Sequence, residues 1–202
     1  MRKFFSIFTV CFLILGTSGC IQKTDTQKAQ TVNDKQNKED TAIDSNKILI
    51  VYYSRSGNTE QLAQLIHSYV GGDMIELETE KQYAEDYDTI LEEAEKELQE
   101  QARPALKSTI EDISQYDYIF IGYPIWWADT PMAILTFMES HSFANKTLIP
   151  FCTSGGGGSG SSFESITKAA NQATVLEGYS IIDTKIETAA PEVKEWLKKI
   201  GF

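Results

Sequence analysis

Lys47-Ile48-Leu49-Ile50-Val51-Tyr52-Tyr53-Ser54-Arg55-Ser56-Gly57-Asn58-Thr59 is the stretch whose reading decides the fold. Its first half is a continuous apolar run behind a single lysine. Such a run reads as a strand buried on both faces, as in a parallel sheet. Its second half is polar and carries a glycine. Beyond it Leu62, Ala63, Leu65, Ile66, Tyr69 and Val70 recur at helical spacing until Gly71-Gly72, and glycine is the residue type that most often ends a helix. A buried strand, a short polar loop and a helix together make the opening of a strand–helix–strand crossover.

The same alternation continues downstream. Residues 73–78 alternate Met74, Ile75 and Leu77 and predict a second strand. Residues 83–101 predict a very acidic helix with Ile90, Leu91, Ala94 and Leu98 on one face, its charges reading as a solvated surface. Residues 116–123 predict a third strand of the buried kind, and 131–140 a helix with proline in its first turn. A fourth strand over 147–152, a helix over 162–171, a short fifth strand over 179–182 and a helix over 191–200 complete the chain. This order implies right-handed crossovers and a doubly wound five-stranded parallel sheet flanked by helices. Ligands of such sheets sit outside the carboxyl ends of the strands, beside the switch in strand order.

The unusual loops of the sequence fall at those ends. The first, Ser54-Arg55-Ser56-Gly57-Asn58-Thr59, offers hydroxyls, a glycine that lets backbone approach a ligand, and the amide groups of a helix N-terminus; phosphate is the ligand such a loop suits. It is neither a Walker loop nor a Gly-x-Gly-x-x-Gly dinucleotide loop, and a plain helix cap with a turn glycine reads the same residues. The second loop, residues 123–131, holds adjacent Trp126 and Trp127. One indole facing a crevice can stack on a flat conjugated ring, while both covering the neighbouring helices is the blander alternative. The third, residues 153–161, carries five glycines, which permit close ligand contact and would equally make a flexible linker.

Tyr123-Pro124-Ile125-Trp126-Trp127 after strand three, Thr153-Ser154-Gly155-Gly156 after strand four, and the segment from Tyr83…Asp86-Tyr87 through Arg103-Pro104-Ala105-Leu106 resemble one branch of the flavodoxin family. The resemblance covers roughly residues 47–182. It implies a non-covalent FMN whose phosphate is held by Ser54, Arg55, Ser56, Gly57, Asn58 and Thr59. It further implies isoalloxazine contacts from Pro124, Ile125, Trp126 and Trp127, and ring contacts from Thr153, Ser154, Gly155 and Gly156, with backbone donors there reaching the pyrimidine end. The run of four glycines after Ser154 departs from the family pattern. No long insertion splits the fifth strand, as in short-chain members.

A flavin supplies the redox chemistry itself, so no catalytic side chain is required. His67, mid-helix, and His141, at a helix end, read as structural, neither belongs to a metal-ligand cluster, and Cys152 reads as a small buried hydrophobe. An acidic surface beside an anionic phosphate disfavours further negative charge on the ring, so the second electron is expected to enter at low potential. Three functions follow: electron transfer to a redox partner protein or small-molecule acceptor; an NAD(P)H-dependent flavin or quinone reductase; and a non-redox surface binding module that keeps the fold.

The region before Lys47 adds a location. Arg2 and Lys3 precede an apolar run over 4–15, too short for a bilayer-spanning helix of about 20 residues and suited to a secretory signal. Gly16-Thr17-Ser18-Gly19-Cys20 resembles the lipobox of bacterial lipoproteins, with Thr17 where an aliphatic residue is usual. The resemblance implies a signal peptide over 1–19 and a lipid on Cys20; ordinary cleavage near Ser18 is the alternative. Residues 20–46 are too polar to offset chain entropy and read as a disordered tether. The domain is then 47–202, with Cys152 alone and no internal disulfide. Losing Arg2 and Lys3 takes the formal charge from −11 to −13. That balance argues against nucleic acid or anionic lipid as a partner, leaving an extracytoplasmic protein held to a membrane only through its lipid.

Overall fold

The computed structural model describes residues 43–107 and 110–202. The signal, Cys20 and most of the tether lie outside the described residues. The domain starts slightly before Lys47: Ile43 packs on the core, and the Asp44 side chain accepts from the Asn46 amide to cap a 3-10 turn at Ser45–Lys47.

The 47–53 run forms β1 (Ile48–Tyr52), every residue of which is buried. It lies between β2 (Asp73–Glu76) and β3 (Tyr118–Pro124), parallel to both. β4 (Thr147–Ser154) follows β3, and the far edge is shared by two short strands. β5 (Thr174–Val175) pairs the first half of β4 and β6 (Tyr179–Ile182) its second half. The strand order is thus β2-β1-β3-β4-β5, with β6 also on β4. The expected five-stranded doubly wound sheet is present, its fifth strand broken at Leu176–Gly178, where the Phe163 ring crowds the Gly178 backbone.

Alternation along the strands feeds two cores. Leu49, Val51, Ile119, Ile121 and Leu148 face Ile134, Phe137 and Met138 of α3 (Met132–Ser140) and Ile166 of α4 (Ser162–Ala169). Ile48, Ile50, Phe120, Ile149 and Phe151 face Leu62, Ala63 and Ile66 of α1 (Asn58–Val70) and Val193, Trp196 and Leu197 of α5 (Ala190–Ile200). Cys152 is buried in the first core. Burial pushes its thiol up to about 11, so it remains an unreactive thiol. The histidines are tied to backbone: His67 to Gly72 O at 3.0 Å, His141 to Ile110 O at 2.7 Å. Among the described residues no helix is long and apolar enough to cross a membrane.

The acidic helix is shorter than its periodicity predicts. It becomes α2 (Tyr87–Gln99), because the Asp86 side chain accepts from the Thr89 amide and caps it there. Residues 81–84 stay outside the helix, held by α2's own acids: Lys81 donates to Glu97 and the Ala84 amide to Glu93. The chain leaves and returns side by side, with Glu80 N on Ala105 O and Lys107 N on Glu78 O.

Two consequences are testable. Gly122 of β3 sits opposite Phe151 of β4, and a Cβ on it would lie 2.2 Å from the Phe151 ring. Gly122→Ala should therefore destabilise the domain by about 1–3 kcal/mol; denaturant melts giving wild-type stability would contradict this. The Glu76 carboxyl is held above its ordinary range by burial and then by Glu60 and Glu78, with a Tyr52 hydrogen bond working the other way. A carboxyl raised in the folded state contributes stability that is lost as pH rises through its folded pKa. Glu76→Gln should raise the melting temperature at neutral pH, and the gain should fade in acid below the ordinary carboxylate range. A melting temperature lowered at neutral pH would refute it.

Candidate functional site

The three loops singled out in the sequence do meet. Arg55 and Ser56, Pro124 to Trp127, and Thr153 to Gly155 line one cleft of about 250 Å3 at the carboxyl ends of β1, β3 and β4. A second, more polar cleft of about 570 Å3 adjoins it, lined by 53–56, 76–79 and 81–85 and sharing Arg55 and Ser56. The first gathers all three loops at the switch in strand order, so it is the candidate site.

Loop one works as expected for an anion-facing helix start. Gly57 caps α1 at φ +85° with open space about its Cβ position, so conformation rather than room demands glycine there. The Ser54 hydroxyl accepts from the Glu60 amide at 3.2 Å and still has a proton to give. Ser56 precedes the Gly57 cap and Asn58 opens the first turn, whose amides have no partner within the helix. Arg55 is the loop's cation, and its guanidinium donates to Glu85 O at 2.8 Å. Thr59 differs: it is buried, and its hydroxyl pairs with that of Thr153 at 3.0 Å. Its side chain therefore clamps α1 to β4 instead of facing the cleft.

Loop two is a tight hairpin. Trp126 and Asp129 exchange both backbone hydrogen bonds at 2.9 Å, and the residues between them, Trp127 and Ala128, stand at φ +49° and +57°. Two consecutive left-handed residues are the signature of a type I′ turn, usually built from glycine or asparagine. Loop three holds this strained turn: Ser161 N and Oγ both donate to Ala128 O, at 2.8 and 3.1 Å. A Cβ on Gly160 would lie 2.0 Å from the same oxygen. Asp129 bonds Thr130 N and the Ser165 hydroxyl, anchoring α4. The indoles diverge. Trp126 is half-buried, edge-on to Tyr53 and Tyr83 at 5.6 and 5.1 Å. Trp127 is 46% exposed, and its Nε1 donates to Leu91 O of α2 at 2.9 Å.

Thr153 and Ser154 are buried at the end of β4, where Thr153 O accepts from Ile125 N at 2.8 Å. Gly155 lines the cleft; Gly156, at φ +149°, lies beyond its lining. Asp183 lies at the end of β6, and Tyr87, Ile90, Leu91 and Ala94 of α2 complete the wall. Sequence reasoning assigned none of these five to the site. Ile90, Leu91 and Ala94 read as an ordinary core face and Tyr87 only as part of the family resemblance, whereas Asp183 follows a strand's carboxyl end, the position that marks the other loops.

Two oxygens of this wall, Ser154 Oγ and Asp183 Oδ1, are buried without a hydrogen-bond partner among the described residues. Such groups cost about 1–3 kcal/mol each and mark a place built for polar company. The aromatic hydroxyls nearby are not acids: burial first, then Glu97, holds the Tyr53 phenol above its usual range, and burial followed by the Glu97 hydrogen bond does the same for Tyr83.

Comparisons with known proteins agree with this architecture. A search of curated proteins finds no significant match. Among solved structures, a protein described as a flavoprotein from Bacteroides eggerthii DSM 20697 is 35% identical, covering 77% of this chain and 98% of its own, with TM-score 0.69. Another from Bacteroides uniformis ATCC 8492 is 31% identical over 77% and 99%, with TM-score 0.68. A Lactobacillus acidophilus NCFM flavoprotein solved in complex with FMN shares the fold at 24% identity, 71% and 97% coverage and TM-score 0.60. A flavodoxin family model matches residues 47–200, and with it the parallel sheet, its strand order and its three converging loops have one explanation: this chain belongs to the flavodoxin family.

Proposed function

We propose that the chain binds FMN non-covalently in the three-loop cleft and serves as an electron-transfer protein outside the cytoplasm, held to a membrane by a lipid on Cys20. One observation carries the cofactor reading. Loops from the ends of β1, β3 and β4 line a single cleft in whose wall Ser154 Oγ and Asp183 Oδ1 have no hydrogen-bond partner among the described residues. FMN fits that wall, since its phosphate is an acceptor for the first loop and its ring and ribityl donors suit the orphaned oxygens. The FMN complex of the Lactobacillus acidophilus flavoprotein, which has the same fold, supports the assignment.

Each part of the site then has a task. Ser54, Ser56 and the first-turn amides of α1 hold the phosphate, with Arg55 supplying charge. Gly57 and Asn58 shape that turn, and Thr59 braces it against β4. Pro124, Ile125, Trp126 and Trp127 flank the ring; Thr153, Ser154 and Gly155 offer polar atoms at its edge. Ile90, Leu91 and Ala94 exclude water from one side. The bound flavin supplies the electron chemistry, and Tyr53 and Tyr83, locked in their protonated forms, act as packing surface. The signal-like residues 1–19 and the lipobox-like Cys20 support the location.

The purified chain should be yellow, or become so with added FMN, binding one flavin per chain and quenching its fluorescence. A chain that stays colourless and leaves FMN emission unchanged removes the cofactor reading. Anaerobic NADPH added to the loaded protein should leave the colour in place; rapid bleaching would overturn the carrier reading in favour of a reductase. Cys20→Ser, expressed in bacteria, should shift the protein from the membrane to the soluble fraction, and unchanged partition would overturn the anchor.

A further inference from the structure

The acidic helix holds one carboxylate that does not behave as surface charge. Glu97 is 8% exposed, whereas Asp88 and Glu92 of the same helix are exposed and Glu93 and Glu95 half-buried. Its two oxygens have different partners: Tyr83 OH donates to Oε2 at 2.8 Å, and Lys81 Nζ donates to Oε1 at 3.1 Å. Lys81 also pairs with Glu93 at 3.4 Å and lies 4.7 Å from the centroid of the Tyr83 ring. The tyrosine is therefore gripped at its hydroxyl by the acid and on its face by the acid's counter-ion.

That grip reaches the cleft through rings. Tyr83 stands edge-on to Trp126 at 5.1 Å and 82°, and to Tyr53 at 6.5 Å and 68°. Tyr53 and Trp126 are edge-on at 5.6 Å and 88°. Each ring of this trio constrains the tilt of the other two, since edge-to-face contacts are directional. Trp126 lines the candidate flavin cleft, Tyr53 leads directly into the phosphate loop, and α2 itself contributes Ile90, Leu91 and Ala94 to the wall.

We propose that Glu97 is a positioning residue for the flavin site: by fixing Tyr83 and Lys81 it sets the orientation of Trp126 against the bound ring. The proposal rests on the FMN reading above. Packing alone does not require a carboxylate here. A leucine at 97 would also fill space beneath α2, which is tied besides by Trp127 Nε1 to Leu91 O and, just before its start, by Arg55 to Glu85 O. What the carboxylate adds is a directional, charge-assisted bond to one phenol, the kind of outer support that locks the rotamer of a ligand-facing group.

The test is FMN titration of the full chain, read by flavin fluorescence and by visible circular dichroism of the bound flavin. It compares wild type with Glu97→Leu, Glu97→Gln and Tyr83→Phe, with thermal melts alongside. Glu97→Leu and Tyr83→Phe should weaken FMN binding by about tenfold and change the dichroism band, while Glu97→Gln, which keeps an acceptor for Tyr83, should recover most of both. Tyr83→Phe removes the same bond while leaving Lys81 paired, so it decides the matter if Glu97→Leu does not fold. Wild-type affinity and dichroism in both Glu97→Leu and Tyr83→Phe would overturn the positioning role alone. A wild-type chain that takes up no FMN would overturn the flavin reading, and the proposal with it.

Discussion

β1 has no solvent-facing side, and the molecule is arranged around that fact. Its five side chains alternate into two separate cores, so helices must cover both faces of the sheet and each crossover must carry the chain over one of them. Because all strands run parallel, every strand-to-helix turn emerges at one edge. The site is a by-product of this constraint: burying the strands on both sides leaves the loops after β1, β3 and β4 nowhere to go but beside one another. Phe151 shows how tightly the layers close, since its ring occupies the space a side chain at position 122 would need.

The lining of the cleft divides by chemistry. Ile90, Leu91, Ala94, Ile125 and the indoles are its apolar part, and Arg55, Ser56, Thr153, Ser154 and Asp183 its polar part. A flat amphipathic ring with a phosphate tail suits such a division, because each of its parts meets the surface it prefers. Acids are plentiful around the neighbouring cleft, where Glu76, Glu78 and Glu85 contribute to the lining and Lys81 and Arg55 are the cations. Arg55 belongs to both clefts and reaches the backbone just before α2, which ties the loop after β1 to the helix that walls the cleft.

The parts of this structure that depend on local pattern were legible in the sequence. The buried strands at 48–52, 118–124 and 147–154 announced themselves as apolar runs, and glycine and proline marked the helix ends. The three loops could be placed at one edge because parallel topology leaves no other position. What escaped depends on contacts between distant residues. Residues 83–86 continue the helical pattern but are kept out of α2 by Asp86 and by acids a turn or more ahead. Glu97 looks like any other charge in an acidic run until Tyr83 and Lys81 fold back onto it. Gly178, between β5 and β6, lies against the Phe163 ring of the preceding helix, and Thr59 pairs with Thr153, ninety-four positions away.

The hairpin at Trp127 and Ala128 carries a wider consequence. Two residues that would not choose a left-handed backbone are kept there by hydrogen bonds to a single carbonyl, and the donors come from the other glycine-rich loop. The shape presented by the tryptophan loop is thus not encoded in that loop alone. Besides its own Trp126–Asp129 hydrogen bonds it depends on a serine and a glycine more than thirty positions downstream, neither of which lines the cleft. Change in one loop is therefore coupled to the other: a new side chain at 160 would redraw the tryptophan side of the cleft from outside it, while the tryptophans stayed unchanged in sequence.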